Sequence, residues 1–229
     1  MPRAWEGGGC LDRASMTTRG SFITVEGGEG AGKSTQVDLL LSALGHAGIA
    51  TQRTREPGGS EGAEAIRRLL LDGATERWDA VGEALLLYAA RRDHVIRLIR
   101  PALDRGVWVV CDRFADSTLA YQGYGRGLPL ADLMALHRFA LGDFAPELTL
   151  VLDLPVAEGL ARAARRSGNA DRFERLDATF HERLRQGFLQ IAADNPERCV
   201  VIDAAGDQGS VHRAVLTAVV ARLGVAVQR

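Results

Sequence analysis

The sequence predicts an α/β fold in which a five-stranded parallel sheet carries helices on both faces, giving three layers. Short apolar runs alternate with amphipathic stretches along most of the chain. The run 107–111 contains no charged residue, as expected of a strand buried on both faces of a parallel sheet. A length of 229 residues fits one domain of this kind.

The predicted strands are short, and they cover residues 22–26, 49–54, 107–111, 148–153 and 200–203. Apolar residues recur every three or four positions between them. This spacing predicts helices over 34–45, 61–72, 79–100, 129–141, 155–166 and 210–223, with one more marked by Phe180, Leu184, Phe188 and Ile191. Ligands of such sheets bind beyond the carboxyl ends of the strands, so the loops at that edge are the candidate site.

A glycine-rich segment, Gly27-x-x-x-x-Gly32-Lys33-Ser34, lies between the first strand and the first helix. Strand, glycine loop and helix together predict a phosphate-binding loop, and therefore a P-loop NTPase fold. The glycines let successive N–H groups turn toward an anion, and the helix adds its positive N-terminal end. The alternative is a glycine-rich turn that contains Lys-Ser by chance, and the flanking elements argue against it.

The loop predicts a site for a nucleoside triphosphate and Mg²⁺. The expected triphosphate-binding residues are Gly27, Gly28, Glu29, Gly30, Ala31, Gly32, Lys33, Ser34 and Thr35. Lys33 is the only lysine among 28 basic residues, which fits a position where a slim ammonium group must sit among phosphates. Ser34 offers a hydroxyl group to Mg²⁺, and Asp112, at the tip of the third strand, is the second expected metal-side group.

Further groups predict a second anion site facing the first. Arg55 lies in a loop stiffened by proline and glycine, and Arg113 follows Asp112. The segment 117–123 is polar and aromatic, suited to contacting a base, and it is expected in a loop. Arg91 shares a helix face with apolar residues, so it either has a buried anionic partner or extends from the helix edge into solvent.

Three arginines, Arg162, Arg165 and Arg166, share one face of the helix predicted over 155–166. A flexible turn follows at 167–169. This pattern is typical of a lid that closes over a nucleotide, which we expect at about 160–174. A solvated basic face is the alternative.

Composition restricts the function classes. A net charge of −1 argues against general attraction to nucleic acid or to a membrane, and no apolar run approaches the ~20 residues that span a bilayer. The three scattered cysteines predict free thiols rather than disulfides. Residues 1–20 have no apolar segment of a signal peptide and are expected to be a disordered extension, with Met16 as a possible alternative start. A single domain is expected over 21–229, in the cytoplasm.

From about residue 20 onward, the chain resembles bacterial thymidylate kinases. The motifs that carry the resemblance are VEGGEGAGKST, TREPGG, LYAAR, DRFADSTLAYQG and the arginine-rich ARAARRSG before DRFE. The resemblance implies the reaction of ATP with dTMP to give ADP and dTDP, with Mg²⁺, in a homodimer. It implies no nucleic-acid or membrane partner.

The resemblance also implies individual roles. The implied catalytic residues are Lys33, Glu29, Arg113, Arg162, Arg165 and Arg166. The implied dTMP-binding residues are Arg55, Leu87, Arg91, Arg113, Thr118, Tyr121 and Gln122. Thr118 corresponds to the position that contacts the thymine edge, and Tyr121 to the one beside the sugar 2′ carbon. Leu87 departs from the phenylalanine that is frequent in the family, and whether Arg165 or Arg166 is the catalytic arginine stays open.

Two classes of alternative function remain. Another nucleoside monophosphate kinase, for AMP, UMP or GMP, would share the phosphate loop but not the segment with Thr118 and Tyr121. A non-catalytic nucleotide-binding switch is the other class. A GTPase would need an Asn-Lys-x-Asp stretch, and the chain has no lysine besides Lys33.

We predict that Lys33→Ala, and loss of the lid arginines, abolish turnover without unfolding the protein. One arginine that neutralises charge on the transferring phosphoryl group contributes about 10³–10⁵ in rate. Single-turnover kinetics and circular dichroism of each variant check this prediction. Near-normal kcat in both Arg165→Ala and Arg166→Ala would contradict the lid assignment.

Overall fold

The computed structural model describes residues 19–74, 77–165, 173 and 176–226. The expectations for 1–18, including the alternative start at Met16, lie outside the described residues. So do Arg166 and most of the segment that follows it in the predicted lid.

The described chain forms one sheet of five parallel strands in the order β2-β3-β1-β4-β5. The strands are β1 (Phe22–Gly27), β2 (Thr51–Arg55), β3 (Trp108–Asp112), β4 (Leu148–Asp153) and β5 (Cys199–Asp203). All four neighbouring pairs are parallel. The predicted three-layer α/β fold is therefore confirmed.

Helices cover both faces of this sheet. They are α1 (Lys33–His46), α2 (Glu61–Leu71), α3 (Ala80–His94), α4 (Arg100–Asp104), α5 (Ala115–Thr118), α6 (Leu130–Leu141), α7 (Val156–Ala164), α8 (Ala178–Asp194) and α9 (Gln208–Leu223). Two π-helical segments, Val95–Ile99 and Leu119–Gly125, join α3 to α4 and extend α5. At least one helix lies between each pair of successive strands, and α9 follows β5.

Side chains of the central strands alternate between the two faces of the sheet, where they enter three apolar clusters. In β1, Ile23 and Val25 pack with α1 and α9, whereas Phe22 packs on the opposite face with α4 and the first π-helical segment. In β4, Leu150 enters the first core and Val151 packs with α8. Burial on both faces explains why these strands read as nearly continuous apolar runs.

Three predicted elements differ from the structure. β2 is displaced toward the C-terminus, because the Ile49 N–H bonds to the Leu44 carbonyl and extends the turn after α1. The helix predicted over 79–100 is interrupted by the π-helical turn after His94. The base-contacting segment 117–123, expected in a loop, is helical. Its wider π-helical turn brings consecutive residues, Tyr121 and Gln122, to the same cleft.

Helix α7 lies directly against the phosphate loop. A Cβ atom at Gly30 would be 2.0 Å from the carbonyl oxygen of Gly159, and a Cβ at Gly159 would be 2.4 Å from that of Glu29. Gly30 also has a φ of 67°, in the left-handed region. The two glycines therefore allow backbone-to-backbone contact between the loop and the helix that carries Arg162.

Two observations complete the comparison with the sequence. Cys111 and Cys199 are buried free thiols, as predicted. Within the described ranges, no helix combines the length and the apolar character needed to cross a membrane.

Candidate active site

The phosphate loop is closed by its own lysine. The Lys33 ammonium donates hydrogen bonds to the carbonyls of Gly27 at 3.1 Å and Gly28 at 2.6 Å. Burial, followed by the nearby Arg113 charge, lowers the pKa of Lys33 to about 8. Helix α1 begins at this residue, after Gly32 in the left-handed conformation, so its N-terminal N–H groups face the same space.

The two residues expected beside Mg²⁺ lie in contact. The Ser34 hydroxyl donates to Asp112 Oδ2 at 2.6 Å. Parallel pairing of β3 with β1 brings Asp112 level with Val25, just before the loop. In the part of the chain that the structure describes, no cluster of three His, Cys, Asp or Glu residues is suited to a metal. A hydroxyl and one carboxylate suit Mg²⁺, which keeps several waters and takes further oxygens from phosphates.

Arg113 connects the loop to the opposite wall of the cleft. Its backbone has a φ of 70°, which is strained for a residue with a side chain. Its guanidinium donates to the Gly27 carbonyl at 3.0 Å and to Glu29 Oε1 at 2.8 Å. The Tyr121 hydroxyl donates to the same Glu29 oxygen. Burial alone would raise the pKa of Glu29, but the charges of Arg113 and Lys33 outweigh it and lower the pKa to about 2.

Arg91 has a buried anionic partner, which excludes the alternative in which it extends into solvent. Only 1% of Arg91 is exposed, and its Nε donates to Glu56 Oε2 at 2.7 Å. Its Nη2 donates to the Phe114 carbonyl at 3.1 Å and to Thr118 Oγ1 at 3.0 Å. Its Nη1 is buried and has no hydrogen-bond partner among the residues that the structure describes, and Arg91 is one of the residues that line the cleft.

Gln122 has an unpaired hydrogen-bond acceptor, whereas Arg91 has an unpaired donor. Its Nε2 donates to Glu83 Oε2 at 3.0 Å, and Arg126 holds the other Glu83 oxygen at 3.0 Å. A carboxylate only accepts hydrogen bonds, so this contact fixes the orientation of the amide. The Gln122 Oε1 is consequently left as a buried acceptor with no partner in the described ranges. Gln122 also lines the cleft.

These groups line one cleft of about 440 Å³. Of the predicted residues, the cleft brings together Glu29, Gly30, Gly32, Lys33, Ser34, Thr35, Arg55, Leu87, Arg91, Asp112, Arg113, Thr118, Tyr121, Gln122 and Arg162. Gly27 and Gly28 line a smaller cavity on the far side of the loop. Leu87 is half-buried at the cleft wall, and Phe173 stands edge-on to Tyr121 with ring centroids 5.6 Å apart.

One arginine that lines the cleft was not predicted from the sequence. Arg55 bonds to Glu64 Oε1 at 3.1 Å. Arg67, on α2, also lines the cleft and donates to the Pro57 carbonyl at 2.6 Å. Its position three residues after Glu64 in a helix was the available signal, since it shares a face with the partner of Arg55.

The lid arginines are only partly described. Arg162 bonds to the Ala204 carbonyl at 3.1 Å and pairs with Glu158. Arg165 is exposed at the end of α7. Arg166 lies outside the described residues, so the choice between the two stays a prediction.

A buried carboxyl group lies behind the loop and contacts the segment after Arg113. Glu26 is fully buried, and its two oxygens accept hydrogen bonds from the Phe114 N–H and the Ser117 hydroxyl, each at 2.6 Å. Burial, with a further contribution from Asp116, raises the pKa of Glu26 to about 7. Glu26 therefore supports the turn that orients Arg113.

The family model described as thymidylate kinase matches residues 25–215. The chain belongs to the thymidylate kinase family. The predicted resemblance is thereby confirmed over most of the chain.

Relatives agree with this family membership. The chain is 57% identical over 208 residues to a thymidylate kinase of Caulobacter vibrioides, covering 91% of this chain and all of the relative. It is 54% identical to one from Afipia carboxidovorans, covering 86% and 87% of the two chains. A crystal structure of thymidylate kinase from Ehrlichia chaffeensis superposes with a TM-score of 0.68 at 35% identity, covering 87% of this chain and 98% of that one.

We predict that Glu26 makes the stability of this family member fall as pH rises. The folded chain holds the Glu26 proton up to about pH 7, and the ordinary pKa is 4.5, so the unfolded chain releases it earlier. The free energy of unfolding therefore decreases between these two values, by about 3 kcal/mol from this group. Glu26→Gln stays neutral and lacks this slope.

The measurement is urea unfolding of both proteins at several pH values between 5 and 8. The stability of Glu26→Gln relative to the unmodified protein should improve from pH 5 to about pH 7 and level off above it. Glu182→Gln, on the exposed face of α8, is the control for loss of a carboxylate. Parallel curves for Glu26→Gln and the unmodified protein would contradict the prediction.

Proposed function

We propose that this chain transfers the γ-phosphoryl group of ATP to dTMP, giving ADP and dTDP for dTTP synthesis. The observation that carries the proposal is a single cleft with a lysine-containing phosphate loop at one end and a buried donor–acceptor pair at the other. The names of the relatives support the same reaction.

The donor–acceptor pair matches the edge of thymine. Arg91 Nη1 offers a donor to thymine O4, and Gln122 Oε1 offers an acceptor to thymine N3–H. Cytosine presents the reverse pattern, an N4 donor beside an N3 acceptor, and would leave both buried groups unpaired. Such mismatches reject an analogue strongly, since a buried polar group without a partner is costly. Thr118, which accepts from Arg91, keeps its own proton to donate.

The remaining predicted roles follow the geometry of the cleft. Leu87 offers apolar contact to the base without an aromatic ring. Tyr121, whose hydroxyl donates to Glu29, would crowd a ribose 2′ hydroxyl. Arg55 and Arg113 receive the dTMP phosphate. The N–H groups of the loop and Lys33 receive the ATP phosphates.

The chemical step needs no strong base. An oxygen of the dTMP phosphate attacks the γ-phosphorus, and the bond from this phosphorus to the bridging oxygen of ADP breaks. Catalysis then consists of alignment and of neutralising charge on the transferring group. Lys33 and Arg113 supply fixed positive charge from within the described chain, and Arg162, Arg165 or Arg166 would supply more from the lid.

Mg²⁺ is the metal that fits the oxygen donors at the loop. Ser34 and Asp112 would hold it, directly or through water. When bound, it neutralises charge on the phosphate oxygens. The contact between these two side chains keeps both at the mouth of the loop.

We also propose a single kinase domain over 21–229, with a lid at about 160–174, that assembles as a homodimer. Val81, Leu85 and Arg92 share one face of α3, where the two apolar side chains are more than half exposed. Arg92 bonds to the Ala140 carbonyl at 2.8 Å, next to Phe139, which is 90% exposed. A continuous apolar face of this kind suits a second copy of the chain.

The function is tested by ADP release with ATP and a panel of monophosphates: dTMP, dUMP, dCMP, UMP, AMP and GMP. We expect dTMP to give the highest kcat/KM and dCMP to be rejected. Gln122→Ala should lower kcat/KM for dTMP by about 10–100-fold through the lost hydrogen bond, with the KM for ATP unchanged. Gln190→Ala, on the surface of α8, is the matched control. Turnover of AMP, UMP or GMP in preference to dTMP would overturn the proposal.

For the dimer, Phe139→Asp should shift the protein toward the monomer in sedimentation velocity, because a charge would be buried without a partner. Val201→Asp places the same charge on an exposed position of β5 and should leave the mass unchanged. A monomeric unmodified protein at high micromolar concentration is the outcome that refutes the dimer.

A further inference from the structure

Arg91 is one end of a buried hydrogen-bonded network of four polar side chains. Thr54 Oγ1 is 2.7 Å from His94 Nε2, His94 Nδ1 is 3.0 Å from Glu56 Oε1, and Arg91 Nε is 2.7 Å from Glu56 Oε2. None of the four is more than 6% exposed, and His94 is fully buried. This hydrogen-bonded network therefore extends from strand β2, through helix α3, to the Arg91 guanidinium, at the end of the cleft that would receive the nucleotide base.

The hydrogen bond between His94 and Glu56 has one direction. The Glu56 carboxylate only accepts, so His94 Nδ1 must carry a proton and donate it. One Glu56 oxygen is then occupied by His94 and the other by Arg91. Buried charges are tolerated when each has its hydrogen bonds, and removal of one member leaves the others unsatisfied. The orientation of the Glu56 carboxylate consequently depends on both partners.

The second glycine of the TREPGG motif makes room for the imidazole. A Cβ at Gly59 would lie 2.4 Å from His94 Nε2 and 2.5 Å from Thr54 Oγ1. Gly59 also has a φ of 89°. The space next to this loop is thus filled by His94, at the point where α3 passes into its π-helical turn. The TREPGG and LYAAR motifs meet where Arg91 donates directly to Glu56, 35 residues earlier, and His94 contacts the other oxygen of the same carboxylate.

The position of the Arg91 guanidinium depends on the same contacts. Its Cζ atom lies 4.6 Å from the Tyr88 ring centroid and 5.3 Å from that of Phe114. Nε and Nη2 are held by Glu56, Thr118 and the Phe114 carbonyl, which leaves Nη1 without a hydrogen-bond partner among the described residues. A rotation of Glu56 would turn this fork and move Nη1.

We propose that His94 is a positioning residue for nucleotide recognition. It fixes the Glu56 carboxylate and thereby aims the Arg91 Nη1 donor at the base of the acceptor nucleotide. It touches neither substrate. This inference rests on the proposed function, in which Arg91 contacts the base of dTMP.

Two substitutions separate the two ring nitrogens. In His94→Asn the amide NH₂ group takes the place of Nδ1 and keeps the donor to Glu56, while the Thr54 contact is lost. In His94→Gln the amide reaches the former Nε2 position and keeps the Thr54 contact, while Glu56 loses its donor. We expect His94→Gln to raise the KM for dTMP about tenfold or more, as for a lost charge-assisted hydrogen bond. His94→Asn should restore it to within about threefold.

The KM for ATP, and kcat at saturating dTMP, should stay close to the unmodified values in both variants. His137→Asn is the matched control, because His137 also contacts Tyr88, with ring centroids 5.8 Å apart, and does not reach Glu56. Thermal unfolding is measured in parallel. A purely structural role predicts equal loss of stability in the Asn and Gln variants with no change in the KM for dTMP, and this result overturns the proposal.

Thr54→Val keeps the test valid if His94→Gln does not fold. It is nearly isosteric, removes the partner of Nε2 and keeps the Nδ1 donor to Glu56, so, like His94→Asn, it should leave the KM for dTMP within about threefold of the unmodified value. A rise of about tenfold in Thr54→Val then overturns the proposal, because the Nδ1 contact would not be the one that positions Arg91. Failure of the unmodified protein to phosphorylate dTMP refutes the proposed function. A normal KM for dTMP in folded His94→Gln, with the unmodified protein active, refutes only the role of His94.

Discussion

The ion pair between Arg113 and Glu29 holds the two ends of the cleft together. Arg113 follows β3, and Glu29 lies in the loop after β1, so parallel pairing of these strands brings them to one edge. The left-handed backbone of Arg113 turns its side chain across that edge, where it also bonds to the Gly27 carbonyl. The loop that would receive a triphosphate and the wall that would receive a monophosphate are thus joined by one guanidinium.

Two buried carboxyl groups in this region have pKa values that are shifted in opposite directions. Glu29 lies between Arg113 and Lys33, and its pKa is lowered to about 2. Among the described residues, Glu26, three positions earlier, accepts hydrogen bonds from two neutral groups, the Phe114 N–H and the Ser117 hydroxyl, and burial raises its pKa to about 7. Two carboxyl groups of the same motif therefore differ because one faces the cleft cations and the other faces the backbone of Phe114. The motif VEGGEG encodes both a charged and a neutral role for glutamate.

The sequence was sufficient for features that depend on local pattern. The phosphate loop, the order of strands and helices, and the placing of Lys33, Asp112 and Arg113 at one sheet edge all follow from motif and periodicity. The sequence could not decide whether Arg91 has a buried anionic partner or extends into solvent, because its partner Glu56 is brought near only by the packing of α3 beside β2. The π-helical turns also escaped detection, since apolar spacing does not distinguish them from α-helix. Arg67 lacked a motif of its own, and its relation to the cleft depends on where α2 packs.

The contact between Gly30 and Gly159 fixes how far α7, the helix that carries Arg162, stands from the phosphate loop. Peptide groups, with no side chain between them, separate α7 from the loop. Peptide geometry is nearly invariant, whereas side chains differ in length and rotamer. The base of Arg162 therefore stands at a distance from the loop that backbone-to-backbone contact determines, and only its own flexible stem would adjust to a bound nucleotide.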